Sequence, residues 1–157
     1  MGRKTFESRK DTDVETLIAD RLGVMWNTVL HKTPKFYPFD FTADARDGSG
    51  TVTAIIEVKR RYINLSSIEE PFISAHKVME LSKYGEAFGV RALIVFAFND
   101  TMCYCDVAHL LESGVRIVHG GRTVKTRDDQ DTEPMVMIPR RVLIEMVSDI
   151  NKEWYEQ

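Results

Sequence analysis

The chain has 157 residues, of which 43% are hydrophobic and 29% are charged. This size and balance fit one compact domain with its own core and exclude an intrinsically disordered chain. The net charge is −3, from 21 Lys and Arg against 24 Asp and Glu, so overall charge gives no case for nucleic-acid binding.

Membrane and secretory classes are disfavoured by the distribution of apolar residues. The longest strongly apolar run, residues 92–98, is far shorter than the roughly 20 residues that a membrane-spanning helix needs. The N-terminus is basic and polar, without the apolar stretch of a secretory signal. We therefore expect a soluble, cytoplasmic protein with no membrane partner, in which Cys103 and Cys105 are reduced thiols and no structural zinc is bound.

The first predicted element is an amphipathic helix. Thr12 and Glu15 have the spacing of a capping box, and apolar residues recur at helical period through residues 14–29. These two signals predict a helix over residues 13–31.

A β-hairpin is predicted next. Pro34 and Pro38 interrupt helical structure, and residues 36–42 are aromatic and suited to a strand. Turn-forming residues at positions 44–50 separate this strand from a second, β-branched one over residues 51–60. The two strands are expected to pair with each other.

The following segment predicts a helix between two strands. Ser74 is a suitable cap for a helix over residues 75–88, and Gly89 is suited to end it. Residues 91–98 form a continuous apolar run, as in a strand buried on both faces, and residues 101–107 predict another strand.

The C-terminal part predicts an edge strand over residues 115–119 and a final helix over residues 140–155. The order αβββαβ with further strands predicts an α/β fold with a mixed β-sheet flanked by helices. We expect a single domain over residues 1–157, with its core in residues 12–107 and additional strands and a helix in residues 115–157.

The strand at residues 51–60 carries a charged pair. Glu57 and Lys59 are two residues apart, so they leave the same face of a strand, while Ile56 and Val58 face the opposite way. Charge in the middle of an apolar strand needs a partner, because burying it alone is costly. Asp40 is the candidate, because the hairpin folds its strand back against Glu57.

Two neighbouring carboxylates repel each other unless a cation lies between them, and their oxygen atoms suit Mg²⁺ or Mn²⁺. Such an ion can hold a phosphate oxygen and activate water, while the ammonium group of Lys59 orients that water or stabilises the developing charge. Asp40, Glu57 and Lys59 are therefore candidate catalytic residues for phosphodiester hydrolysis.

Asp40 followed by Glu57-Val58-Lys59 resembles the signature of the PD-(D/E)XK nuclease superfamily. The resemblance implies a restriction-endonuclease-like core and a metal site formed by Asp40, Glu57 and the backbone carbonyl of Val58. It also implies that Glu15, from the preceding helix, is a further metal ligand. Lys77, from the following helix, is the candidate for a catalytic or phosphate-binding lysine. One departure is Phe39 before Asp40, where the signature has a proline.

The resemblance implies a Mg²⁺- or Mn²⁺-dependent DNA endonuclease that is similar to phage and recombination nucleases, and a phage is an expected source of such a chain. Holliday junction (branched DNA) resolvases and homing or restriction endonucleases share this core and stay open as alternatives. A non-catalytic nucleic-acid-binding module is a further alternative, and so is a simple surface ion pair between Glu57 and Lys59. Cutting two strands favours a homodimer.

The remaining candidates concern DNA contacts. Arg60 and Arg61 follow Lys59 directly and are expected, with Lys77, to contact phosphate groups. Tyr62 either stacks on a base or packs against the protein. A second basic stretch, over residues 116–127, is the alternative DNA-docking surface.

Overall fold

The computed structural model describes residues 9–120 and 132–146, with side chains from residue 14 onwards. Helices α1 to α3 are Arg9–Trp26, Ala75–Phe88 and Val107–Glu112. Strands β1 to β9 are Leu30–Lys32, Phe41–Asp44, Val52–Arg60, Phe72–Ser74, Arg91–Ala97, Met102–Asp106, Arg116–Gly120, Glu133–Met137 and Ile144–Glu145. Short 3₁₀ turns occupy Leu65–Ser67 and Arg140–Val142.

The strands form two sheets. Six of them make a mixed sheet in the order β1-β2-β3-β5-β6-β9, in which β3 and β5 are parallel and the other neighbours are antiparallel. The others make an antiparallel sheet in the order β4-β8-β7. The predicted α/β fold with a mixed sheet flanked by helices is therefore confirmed.

Strands β3 and β5 lie at the centre of the mixed sheet, so most of their side chains are buried, on both faces. On one face α1 packs against apolar residues of β2, β3 and β5, among them Phe41, Ile56, Val58 and Val95. On the other face α2 and α3 pack against Ile55, Ile94 and Phe96. Because side chains alternate along a strand, Glu57 shares the face of Ile55 and points toward α2.

Several predicted elements are confirmed to within a residue or two. The second helix is α2 as predicted, and Gly89 ends it in the left-handed conformation at φ 63°. The strands predicted at 51–60, 91–98 and 101–107 are β3, β5 and β6. Strong local patterns account for these successes.

The prediction for the first helix was wrong at both ends. The helix already includes Arg9, so Thr12 lies inside it and is not its N-cap. It ends at Trp26, because Asn27 turns out of the helix at φ 51° and Thr28 N–H donates to Gly23 O at 2.9 Å. The following residues, predicted as helix, include β1.

The first hairpin strand also begins later than predicted. Tyr37 N–H donates to Pro34 O at 3.2 Å, which closes a turn with Phe36 at φ 70°. The strand β2 starts only at Phe41, so Asp40 lies immediately before it.

The sequence patterns did not predict β1, β4, β8 or α3, and the prediction of a C-terminal helix from residue 140 was wrong. There the chain forms a 3₁₀ turn and β9. Long-range hydrogen bonds explain the difference, because the Arg140 guanidinium donates to carbonyls of residues 65–69 and Met146 N–H donates to Met102 O. The rest of that predicted helix and most of the basic stretch at 116–127 lie outside the described residues.

Cys103 and Cys105 are buried free thiols, as predicted. Within residues 9–120 and 132–146, no helix is long and apolar enough to cross a membrane.

We predict that Leu81→Ala lowers the free energy of unfolding by about 2–5 kcal/mol, because Leu81 is fully buried between α2 and the sheet. Met79→Ala is the matched control, since Met79 lies on the same helix and is 62% exposed. Urea unfolding followed by circular dichroism measures both. Equal losses for the two variants would contradict the packing of α2 on the sheet.

Candidate active site

Asp40 is held at the point where β2 begins beside the end of β3. Its backbone N–H donates to Ile56 O at 3.0 Å, and its Oδ2 atom accepts a hydrogen bond from Val58 N–H at 2.8 Å. The two bonds fix both the backbone and the carboxylate of Asp40 against β3. The hairpin therefore brings Asp40 next to Glu57, as the sequence predicted.

The backbone carbonyl of Val58 lies at the same edge of β3. Pairing with β2 ends where Phe41 faces Ile56, so Val58 is beyond the paired segment. The N–H and C=O of one strand residue point to the same edge, and the Val58 N–H points to Asp40. The Val58 carbonyl is thus directed to the side on which Asp40 lies.

Glu57 is a buried acid, with only 4% of its surface exposed. Burial, and to a smaller extent the nearby charge of Asp40, together raise the pKa of Glu57 to about 7, although Lys59 and Lys77 oppose the shift. Near neutral pH the group is therefore poised between its neutral and charged forms.

Two ammonium groups face the Glu57 carboxylate. Lys59 Nζ is 3.3 Å from Glu57 Oε2, and Lys77 Nζ is 3.7 Å from the same atom. Lys77 reaches across from α2 and also donates to Pro38 O at 2.8 Å. The structure thus brings Asp40, Glu57, Val58, Lys59 and Lys77 together.

The donor set at this place fits a hard divalent cation. Two carboxylates and a backbone carbonyl supply oxygen ligands of the kind that Mg²⁺ and Mn²⁺ take. A cation there would offset both the burial of the Glu57 charge and its repulsion by Asp40. Within the described residues, no three His, Cys, Asp or Glu side chains are grouped to hold a metal.

Glu15 is placed differently from the other candidate ligands. Its carboxylate pairs with Lys32 Nζ at 2.6 Å, and Lys32 in turn lies over the ring of Phe41. Helix α1 packs on the face of the sheet opposite to the one from which Glu57 projects. The structure does not group Glu15 with Asp40 and Glu57, and its role as a metal ligand stays a prediction.

Arg60 and Arg61 have partners within the protein. The Arg60 guanidinium donates to Ala97 O at 2.9 Å and to Asn99 Oδ1 at 2.8 Å. The Arg61 guanidinium donates to Phe72 O at 3.2 Å, and burial lowers its pKa. Asn99 had no sequence signal for this role, because it is 39 positions from Arg60.

Comparison with known proteins gives a family match and two similar folds. Residues 1–145 match the family model described as "Phage putative PDDEXK endonuclease". The fold is similar to Hjc, a Holliday junction resolvase from Archaeoglobus fulgidus, with a TM-score of 0.53 and 21% identity over 87% of this chain and 92% of that chain. It is also similar to D212, a nuclease from a fusselovirus, with a TM-score of 0.55 and 13% identity over 91% and 90% of the two chains. No curated protein sequence matches this chain.

The family match spans most of the chain and includes the segment from Asp40 to Lys59. At these low identities the two solved structures show a shared fold and nothing finer. The resemblance seen in the sequence is therefore confirmed, and the chain belongs to the phage PDDEXK endonuclease family, as a nuclease of the PD-(D/E)XK type.

Proposed function

We propose that this nuclease is a Mg²⁺-dependent endonuclease that hydrolyses DNA phosphodiester bonds, with Asp40, Glu57 and Lys59 as its catalytic residues. The observation that carries the proposal is the buried carboxylate of Glu57, which lies beside Asp40 and faces Lys59. Mn²⁺ has the same ligand preference and is expected to replace Mg²⁺.

Each residue has a distinct role in this proposal. Asp40, Glu57 and the Val58 carbonyl would hold the cation, which when bound would act as a Lewis acid on a phosphate oxygen. Lys59 donates hydrogen bonds that orient the attacking water and stabilise charge on the phosphate. Lys77 keeps the loop before Asp40 in place through Pro38 and adds positive charge beside the substrate.

A non-catalytic DNA-binding module is a poorer account of this site. Keeping Glu57 buried and charged opposes folding at neutral pH, because its pKa is raised well above that of a free glutamate. A protein that only binds DNA has no need for a second carboxylate next to it, which also repels phosphate groups.

Branched DNA is the alternative substrate, because the chain shares its fold with a structure described as a Holliday junction resolvase. We further infer that the protein acts as a homodimer, since two sites are expected to cut the two strands of DNA. Sedimentation of the protein alone and with four-way-junction DNA tests both inferences. A monomer that cuts both strands of a duplex would contradict the homodimer.

We predict that the protein nicks or cuts plasmid DNA with Mg²⁺ or Mn²⁺ and not in EDTA. Glu57→Gln and Lys59→Ala should each abolish cleavage while circular dichroism spectra stay unchanged, because each removes one charge from the site. Lys83→Ala, which removes an exposed lysine of α2, is the control and should cut like the parent. Strong cleavage in EDTA would falsify the metal-dependent mechanism.

The raised pKa of Glu57 predicts a stability change with pH in the absence of metal. Protonated Glu57 contributes stability that is fully present below the ordinary pKa of 4.5 and is lost as pH rises through about 7. Glu57→Gln lacks this loss, so above about pH 7 it should be more stable than the parent by at most on the order of 3 kcal/mol.

Urea unfolding in EDTA at several pH values measures this difference between the parent and Glu57→Gln. The free energies of unfolding of the two proteins should become equal below about pH 4.5, where the parent's Glu57 is protonated in both the folded and the unfolded states. A constant difference across the whole pH range would show that burial does not hold Glu57 near neutrality.

For DNA contacts, we predict that replacing both Arg60 and Arg61 with Ala reduces the salt dependence of duplex binding. Each lost phosphate contact lowers the slope of log affinity against log salt by about 0.9, so the slope should fall by about one to two units. Arg91→Ala is the control, because exposed Arg91 starts β5 opposite Ala54, at the other end of the sheet from Lys59.

Fluorescence anisotropy of Mg²⁺-free complexes at several salt concentrations gives these slopes. A melting curve of each variant is needed beside them, because Arg60 and Arg61 also bond to the protein. An unchanged slope in a folded double variant would move the DNA path away from β3 and toward the basic stretch at residues 116–127.

A further inference from the structure

Two exposed aromatic residues lie on loops that flank the candidate active site. Phe36 is on the loop that leads into Asp40, and Tyr62 is on the loop that follows Lys59. Because β2 and β3 are antiparallel, with Phe41 opposite Ile56, the start of β2 and the end of β3 lie at the same end of the sheet. The two loops therefore border the catalytic residues.

The backbone conformation and the exposure of Phe36 both disfavour a phenylalanine at this position. It lies at φ 70°, in the left-handed region that glycine tolerates and bulky residues avoid. Its side chain is 74% exposed, so the ring gains little from burial in return. Strained, exposed residues of this kind are typical of functional sites.

Tyr62 is exposed and yet held in place. Tyr62 is 60% exposed, and the guanidinium of Arg60 lies 4.2 Å from the centroid of its ring. Arg60 itself is bonded to Asn99 Oδ1 at 2.8 Å, and Asn99 N–H donates to Ile63 O at 2.9 Å. One face of the tyrosine is thus supported by a fixed cation.

The loop of Phe36 is fixed as well. Thr33 N–H donates to Asp40 O at 2.9 Å, which closes the base of the loop. Lys77 Nζ donates to Pro38 O at 2.8 Å, and the Tyr37 ring packs edge-on against Phe39. Both aromatic residues are therefore presented on supported loops, which reduces the ordering cost of binding.

Exposed rings beside fixed cations bind nucleobases by stacking, while the cations attract the phosphate backbone. Bases within an intact duplex already stack on their neighbours, so only unpaired or splayed bases offer a free face. We propose that Phe36 and Tyr62 stack on unpaired bases on either side of the scissile phosphate. The preferred substrate is then DNA with unpaired nucleotides at the cleavage site, which rests on the proposed DNA endonuclease function.

Binding in EDTA tests the inference without depending on cleavage. The probes are a fluorescent forked DNA with two unpaired arms, a blunt duplex of equal length and an intact four-way junction, in which all bases are paired. The parent should bind the fork most tightly. Phe36→Gly and Tyr62→Ala should each weaken binding to the fork by about tenfold, the effect of losing one stacked base.

Phe36→Gly has a second readout that a merely structural residue would not give. Glycine relieves the left-handed strain at this position, so the melting temperature should rise or stay equal while fork binding falls. Phe88→Ala is the matched control, because Phe88 is 69% exposed at the end of α2, next to the start of β5 and away from Lys59. It should bind the fork like the parent.

Photocrosslinking locates the contact directly. Forked DNA carrying 5-iodouracil in its unpaired arms should crosslink to peptides containing Phe36 or Tyr62, and these crosslinks should disappear with the matching variant.

Equal binding of fork and duplex by the parent, or parental fork binding by both aromatic variants, would overturn the inference. Tighter binding of the intact junction than of the fork would also overturn it. Failure of the parent to cut any DNA with Mg²⁺ would instead overturn the proposed function, and the binding results in EDTA would still decide the role of the two rings.

Discussion

The arrangement of this site depends on the hydrogen bond between the Asp40 carboxylate and the backbone N–H of Val58. This bond lies just beyond the last paired residues of β2 and β3, where the sheet itself no longer provides a partner. It aligns Asp40 with the strand segment that carries Glu57 and Lys59. A carboxylate that bonds to the backbone here brings negative charge next to a buried acid, and the two lysines facing Glu57 partly compensate for it.

The centre of the fold explains why Glu57 is buried. Strand β3 is covered by α1 on one face and α2 on the other, so a side chain on either face loses water unless it is near a strand end. Glu57 pairs in register with Ile94 of β5, among apolar neighbours, whereas Lys59 is closer to the end of the strand and partly exposed. On the same face of β3, the acidic side chain is therefore buried, and the lysine two residues further along is accessible to solvent.

Much of this arrangement was predictable from local sequence patterns. The period of two places Glu57 and Lys59 on one face, and the turn residues between β2 and β3 predict the return of the chain to Asp40. The continuous apolar run of β5 and the glycine that ends α2 were also sufficient for correct boundaries. Contacts between distant segments were not predictable, such as the bond of Lys77 to Pro38 and the bonds of Arg140 to the loop at residues 65–69. The same reason explains the errors at Asn27 and at residues 140–146, where backbone turns and tertiary bonds outweigh helical periodicity.

Lys77 touches two parts of the site at once, the Glu57 carboxylate and the backbone of the loop that carries Phe36. A proton or a cation that neutralises the Glu57 carboxylate would weaken its attraction to the Lys77 ammonium group. The Pro38 carbonyl would then be the stronger partner of Lys77. The protonation state of Glu57 and the position of the loop are therefore energetically coupled through Lys77. Such coupling is reciprocal. A ligand that moves the loop would change the affinity of Glu57 for a proton, and protonation of Glu57 would change the affinity of the loop for that ligand by the same factor. A single ammonium group on α2 thus links the ionisation of a buried acid to the position of the neighbouring loop.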